Sequence, residues 1–499
     1  MKTGKKLPKI INPAFAKATA NKLLSLLMLP EKFIERIQEI LPKSEQEAFY
    51  KTCTEPLPKT IRRAPDAKLP QEWTLDPVAG IPEAAFLSRP NQKESPLGKT
   101  FEHFCGHFYV ATLSSLLPIK ILDPQPDEKI LDMCAAPGSK ATFISERMEH
   151  SGVLVANELS SSRSKKLTAN LDRMGCTNVV VTQSDGTFMN NFIDQEFDKI
   201  LLDAPCSSEG YGRKDSKFFS TMWSEQKIFG AAKIQKKLIE SAFKMLRPGG
   251  TLVYSTCTSA PEENEAVVEH LCKTFGDYLA VETIDLGDIP HTSGVSKFYD
   301  QLFDKDLAKK VKRLWPHKRS DQWNSECFFI AKIQKTAPLP KTNPVKKHLR
   351  GLDMLGKNNC AEVFTRLHKA FGFPKELFAK KTILDRDGLY FLASKPAGLF
   401  ALRNLHRRAG IPLLDKDKNL ESAFSIAFGH FASKNIVQLD RAQADRWKEG
   451  FDLPFETTLP FPNSTEVLVL FHDFCLGTGK IMKEGKKLKN KLNRELIHS

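Results

Sequence analysis

No apolar run in the sequence approaches the length of a membrane span; the nearest, Leu23 to Leu29, is short and flanked by Lys22 and Glu31. The basic start, Met1 to Lys9, lacks an apolar h-region and a small-residue cleavage site, so a cytoplasmic protein without a membrane partner is expected. The ten cysteines are scattered, with no C-x-x-C pair and no Cys/His cluster at zinc spacing, which argues against a structural metal and for a reducing compartment. The small-residue turn Ala135-Ala136-Pro137-Gly138-Ser139-Lys140, which follows a strand, has neither the spacing of a phosphate-binding loop nor the G-x-G-x-x-G of dinucleotide enzymes. Beyond residue 335 no internal repeat is evident.

Positive charge is plentiful. Lys and Arg number 74 against 59 Asp and Glu, a formal charge of +15. That balance favours a polyanionic partner, nucleic acid first, although a basic solvated surface would produce it too. At 499 residues the chain has room for several domains and needs no disulfide staples.

Residues 1 to about 22 carry Lys2, Lys5, Lys6, Lys9, Lys17 and Lys22 without periodicity and read as a basic arm. From Glu31 to Tyr50 the apolar positions Phe33, Ile37, Ile40 and Leu41 recur at helical spacing. Lys59-Thr60-Ile61-Arg62-Arg63 is a basic stretch, one dress of an RNA surface, and Phe108 reads as part of a half-buried helix. From Ile130 strands and helices alternate: strands at Lys129 to Cys134, Gly152 to Glu158, Asn178 to Thr182 and Ile200 to Asp203, and helices at Ala141 to Met148 and Ser164 to Met174. A long helix from about Ser224 to Leu246 stops at the turn Arg247-Pro248-Gly249-Gly250, and the strand Thr251 to Ser255 follows. Pro261-Glu262-Glu263-Asn264-Glu265 then opens a helix whose acids suit its dipole. Pro338, Pro340 and Pro344 among lysines read as a linker, and Lys480, Lys483, Lys486, Lys487, Lys489, Lys491 and Arg494 as a second basic segment. The pattern predicts a basic arm with a small helical, RNA-binding unit over residues 1–120. It predicts a doubly wound Rossmann-like α/β domain over 121–335, a linker region over 336–385 and an α+β region over 386–499.

In an open parallel sheet ligands sit beyond the carboxyl ends of the strands. Phe197 to Asp203 is an apolar run ending in an acid, then Pro205 and Cys206; alone, Cys206 would pass for one more buried small residue. Cys257 follows a second such strand, so two thiols reach one edge. Glu158 stands near the expected spacing for an acid that takes ribose hydroxyls, and Asp185 could accept from the exocyclic amine of adenine. With no phosphate-binding glycines, S-adenosylmethionine suits the nucleoside site. Paired thiols suggest covalent catalysis on a pyrimidine: carbon five is a poor nucleophile until a thiolate adds to carbon six. The carbon-five proton must then leave before the adduct can eliminate.

Asp203-Ala204-Pro205-Cys206, Thr256-Cys257-Thr258 and Ala135 to Lys140 resemble the Nop2/Sun family of RNA 5-methylcytosine methyltransferases, over roughly residues 95 to 335. The resemblance implies Cys257 as nucleophile and Cys206 in product release. It also implies that Cys134, Ala135, Ala136, Pro137, Gly138, Ser139, Lys140, Glu158, Asp185 and Asp203 hold S-adenosylmethionine, with Asp203 also on the cytosine edge and Lys140 lowering the thiolate pKa. Val467 to Phe471 and Leu488 to Leu496 are similar to the bacterial members that act on small-subunit ribosomal RNA and carry a C-terminal PUA-like RNA-binding domain. The implied partner is therefore small-subunit ribosomal RNA or an assembling 30S particle, met by a monomer that needs no metal. The sequence departs from the family's pattern at Arg62-Arg63-Ala64-Pro65, at Ser208, where a glycine is customary, and at Ser325 to Phe329. An amino-group methyltransferase would favour an Asp/Asn-Pro-Pro-aromatic turn in place of Asp203-Ala204-Pro205-Cys206; a non-catalytic assembly factor would show a damaged thiol pair. Transfer RNA stays open as an alternative substrate.

Overall fold

A computed structural model describes residues 29–53, 55–89, 96–193, 196–215, 217–340, 353–403, 406–455, 464–482 and 485–493. The expected basic arm, Pro344, Lys483 and Arg494 to Leu496 lie outside these residues.

The N-terminal unit carries two helices, Glu31–Ile40 and Lys43–Thr52. They replace the single helical stretch expected, because Pro42 forces Leu41 into extended backbone. A four-stranded antiparallel sheet follows, ordered β2 (Thr74–Pro77), β3 (Ala84–Ser88), β1 (Thr60–Arg63), β4 (Phe108–Val110). Phe108 is thus a fully buried strand residue and not part of a helix; it pairs with Arg63 across the sheet. Arg62 is no RNA contact either. Its guanidinium is buried, bonded to Glu146 at 2.9 Å and to Thr142 at 3.0 Å, and it lies 4.8 Å from the Phe143 ring.

The central domain is the expected doubly wound sheet. Strands β5 (Lys129–Asp132), β6 (Val153–Asn157), β7 (Val179–Thr182), β8 (Phe197–Asp203) and β9 (Leu246–Thr256) run parallel in the order β7-β6-β5-β8-β9. They read as unbroken apolar runs because both faces are covered. Leu131, Val155, Ile200 and Leu202 pack toward the helices Glu225–Met245 and Glu265–Phe275. Ile130, Leu154, Ala156 and Leu201 pack toward Leu113–Leu122, Ser139–Arg147 and Ser161–Arg173 on the other face. Phe328–Lys335 runs antiparallel beside β9, so the departure at Ser325 to Phe329 still feeds a strand. The expected turn Arg247 to Gly250 belongs to β9 itself, which starts at Leu246 and slips register against β8 there. Only glycine fits at 250, where a Cβ would stand 2.8 Å from the Asp198 carbonyl oxygen.

The 336–385 segment, expected as a linker, holds the helix Lys357–Phe371 and the strand Lys381–Arg386. Leu367, Phe371, Phe378 and Ile383 bury apolar surface there that a linker would leave in water. Two further sheets complete the chain. One joins Asp353–Met354, Lys381–Arg386, Leu389–Ser394 and Ile411–Leu414; the other is a five-stranded sheet around Glu466–Phe471 and Phe474–Met482. The first is tied to the central domain: Arg408–Ala409 adds an antiparallel edge to β7, and Ser394 Oγ donates to the Gly152 carbonyl at 2.7 Å. Among the described residues no helix is long and apolar enough to cross a membrane.

Candidate active site

β5 has β6 on one side and β8 on the other, a point where strand order reverses and a crevice opens beyond the carboxyl ends. A cavity of about 610 Å³ lies there. Of the residues expected at a site, Cys134, Ala136, Glu158, Asp185, Asp203, Cys206 and Cys257 line it. Ala135, Pro137, Gly138 and Ser139 shape the turn behind the wall instead of forming it. The Ala135 amide donates to the Asn157 carbonyl, and the Ala136 and Pro137 carbonyls accept from Arg163 and Asn170 at 2.7 and 2.8 Å. Gly138 sits at φ +114, and a Cβ there would press on Asn170 and Leu167 at 3.3 Å, which fixes glycine as the residue that admits the following helix.

Glu158 is buried at the end of β6; one oxygen accepts from the Ser160 amide at 2.8 Å and the other lies 3.3 Å from Arg163. Asp185 is exposed and accepts from the Thr187 amide and hydroxyl at 2.9 and 2.7 Å, which turns its carboxylate to the cavity wall. Leu159 and Ile234 add apolar surface at the mouth, Met133 and Leu238 deeper in.

Lys140 reaches the site from the first turn of its helix. Its ammonium lies 2.8 Å from Asp203, which also accepts from Ser255 Oγ at 2.8 Å. Burial pulls the ammonium's pKa down, but Asp203, Asp132 and Cys257 outweigh it and the net shift is upward. Asp132 was legible only as the end of a strand. It is buried, and burial pushes it up to about 7, with Lys140 and the Cys134 amide opposing and Asp203 reinforcing the shift.

The two thiols meet. Cys206 Sγ and Cys257 Sγ are 3.4 Å apart, both free and half-buried. The bond from Cys257 and then burial push the Cys206 thiol well up. Ser208, where glycine is customary, sits at φ +62; its hydroxyl donates to the Cys206 carbonyl at 3.2 Å and lies 3.8 Å from the thiol.

Sequence reasoning missed the acids beneath these loops. Glu262 to Glu265 do not simply open a helix, because that helix begins at Glu265 after Asn264. Glu263 is buried under the Cys206 loop and Glu265 is buried against Arg313. The only advance signal was an excess of acids over what a dipole needs. Among the described residues no group of three His, Cys, Asp or Glu is placed to hold a metal ion.

A family model described as "16S rRNA methyltransferase RsmB/F" matches residues 119–334. Models for the N-terminal domain of 16S rRNA methyltransferase RsmF and for the methyltransferase RsmF PUA domain match 29–111 and 434–498. The chain is 35% identical over 491 residues to ribosomal RNA small subunit methyltransferase F of Vibrio vulnificus (strain YJ016), covering 95% of this chain and 98% of that one. It is 34% identical over 485 residues to the protein of the same name in Escherichia coli (strain K12), covering 94% and 96%. Its structure is similar to that of a methyltransferase homologue from Pyrococcus horikoshii, at 28% identity and a TM-score of 0.53, covering 65% of this chain and all of that one. In fold it is also similar to NSun6 from the same organism, solved with SFG, at 23% identity and a TM-score of 0.52, covering 62% and 98%.

Proposed function

The chain belongs to the 16S rRNA methyltransferase RsmB/F family, S-adenosylmethionine-dependent enzymes that methylate ribosomal RNA, and on that premise we propose the atom and the nucleophile. The protein methylates carbon five of a cytosine in small-subunit ribosomal RNA, with Cys257 as nucleophile and Cys206 serving release. The observation that carries this reading is the pair of thiols 3.4 Å apart on the wall of a nucleoside-sized cavity. An amino-group methyltransferase has no use for either.

The donor set suits S-adenosylmethionine. Glu158 offers acceptors for ribose hydroxyls, Asp185 an acceptor for the adenine amine, and Leu159, Ile234 and Leu238 apolar surface for the ring; no glycine nest waits for phosphate. Asp203 and the Cys134 to Ser139 turn bound the end where the methionine part would lie. When bound, the cofactor supplies the methyl group that carbon five acquires.

Cys257 adds as thiolate to carbon six, forming a sulfur–carbon bond and making carbon five nucleophilic. The Lys140 ammonium supplies positive charge at the site, and Asp203 holds it in place at 2.8 Å and faces the cytosine edge. After methylation the carbon-five proton passes to solvent water on the Cys206 side of the ring, and its bonding pair stays on carbon five. The ring double bond then re-forms, the sulfur–carbon bond breaks, and Cys257 leaves as thiolate. The cytosine must be presented unstacked, which assigns the flanking modules the task of holding an opened RNA.

Bisulfite sequencing of total RNA from cells with and without the gene tests this reading, with complementation by wild type and by Cys257→Ala. One protected cytosine in 16S rRNA that disappears with the gene and returns only with wild type is the expected result. Persistence of every protected cytosine in that RNA would overturn it, and a lost cytosine in transfer RNA would reassign the substrate.

A further inference from the structure

The loop that carries Cys206 hangs from one buried carboxylate. Glu263 Oε2 accepts from the Ser207 amide at 2.9 Å and from Gln235 Nε2 at 2.9 Å, and Gln235 donates as well to the Pro205 carbonyl at 2.9 Å. Pro205 and Ser207 are the two neighbours of Cys206, so its backbone is clamped on both sides. The clamp reaches the other thiol too. Ser207 Oγ lies 2.9 Å from Thr258 Oγ1, next to Cys257, and the Gly210 amide donates to the Cys257 carbonyl at 2.8 Å.

A carboxylate is an expensive way to accept two hydrogen bonds in a dry place, since an amide oxygen would do so without burying charge. Glu263 has no ion pair among the described residues, and its Oε1 has no partner. Burial pushes it up to about 7, while the Ser207 and Gln235 bonds pull down and Glu209 pushes further up. The groups that face it are Glu209 on the turn Glu209–Arg213, Cys206 and Ser207 on the loop, Tyr254 on β9 and Gln235 on the long helix. Its charge in turn helps to hold the Cys206 thiol protonated.

Building on the two-thiol reading above, we infer that Glu263 is a positioning residue for the release step, holding Cys206 against Cys257 through the Ser207 amide and the Gln235 clamp. It touches neither thiol's reacting partner. Nucleophilic attack needs only Cys257 and the Lys140 charge; release needs the second thiol in register.

The test uses the full-length protein, 16S rRNA isolated from cells lacking the gene, and radiolabelled S-adenosylmethionine. Glu263→Ala should keep single-turnover methyl transfer within about threefold of wild type, while multiple turnover falls about tenfold and a protein–RNA adduct accumulates on denaturing gels. Glu263→Gln keeps the acceptor oxygen and removes the titration. Its release rate should be flat across pH 7, where the wild type quickens as the carboxylate forms and grips the Ser207 amide harder. If both variants lose single-turnover transfer and adduct together, or if Glu263→Gln keeps the wild-type pH profile, the inference is overturned. Cys206→Ala separates the two claims: no adduct there sinks the two-thiol reading itself, whereas an adduct there with none in Glu263→Ala sinks only the role of Glu263.

Discussion

Cys206 and Cys257 face each other across 3.4 Å because β8 and β9 pair in parallel with Asp203 opposite Ser255. Three residues beyond one and two beyond the other, the strands deliver their thiols to the same edge. The roles can be separated. Cys257→Ala should lower methyl transfer by about a thousandfold or more and give no covalent RNA species. Cys206→Ala should still add and methylate but accumulate the adduct, seen as a gel-shifted band that nuclease trims. A band with Cys257→Ala and none with Cys206→Ala would exchange the two assignments.

Asp132 makes stability depend on pH in a way an amide would not. Its native pKa, pushed up to about 7 by burial, stands above the ordinary aspartate value of 3.8. The native state therefore holds a proton that the unfolded chain releases. The stability this contributes is complete below about pH 4 and is lost as pH rises through 7. Asp132→Asn removes that dependence. The difference in melting temperature, variant minus wild type, should rise between pH 5 and pH 8. A constant difference would mean that Lys140 keeps Asp132 ionised throughout.

The parallel strands and the thiol pair could be read in advance because covered sheets leave long apolar runs and because chemistry-bearing residues stand at their ends. Asp203, Cys206 and Cys257 needed no tertiary information. Glu263 did, since a Pro-Glu-Glu-Asn-Glu stretch looks like the start of a helix until a loop from β8 is laid over it. Arg62 misled in the opposite direction: a cation in a basic stretch reads as surface, but the Glu146 carboxylate, 84 residues along in the next module, draws it inward. Phe108 lay in a strand too short for periodicity to show, three residues long in the sheet. The prolines that suggested a linker over 336–385, Pro338, Pro340 and Pro344, all stand in its first nine residues, and the helix beyond them stands on Leu367 and Phe371.

Ser208 occupies left-handed backbone at φ +62, where a Cβ costs about 1 kcal/mol relative to glycine. The hydroxyl offsets part of that through its bond to the Cys206 carbonyl. Ser208→Gly should therefore unfold at or slightly above the urea midpoint of the wild type. Ser208→Ala, which keeps the strain and loses the bond, should fall below the glycine variant by about 1 kcal/mol and below the wild type by a smaller amount. Equal midpoints for the glycine and alanine variants would show that the loop relaxes out of this conformation when the hydroxyl is removed.

Arg408 carries the joint between the C-terminal module and the central sheet. Its guanidinium forms a two-pronged pair with Asp172, at 2.8 Å for the longer contact, with both side chains nearly nine-tenths buried, while its backbone pairs with Val181 of β7. Burial pushes the Asp172 carboxyl up and Arg408 pulls it back, so removing the arginine strands a charge in a dry place. Arg408→Ala should cost about 3–5 kcal/mol at this joint, and Arg408→Met with Asp172→Asn should recover most of it, because a neutral pair has no charge left to desolvate. Several modules share the unfolding transition, so hydrogen exchange at the Val179–Thr182 and Arg408–Ala409 amides is the readout that isolates the joint. Faster exchange confined to those amides in Arg408→Ala, and reversed in the double variant, is the expected pattern. If the joint holds without Arg408, exchange there stays slow, and the backbone pairing with β7, the Ser394 and Lys381 bonds to Gly152, His150 and Thr177, and the packing of Ala397 and Phe400 on the central core carry the docking.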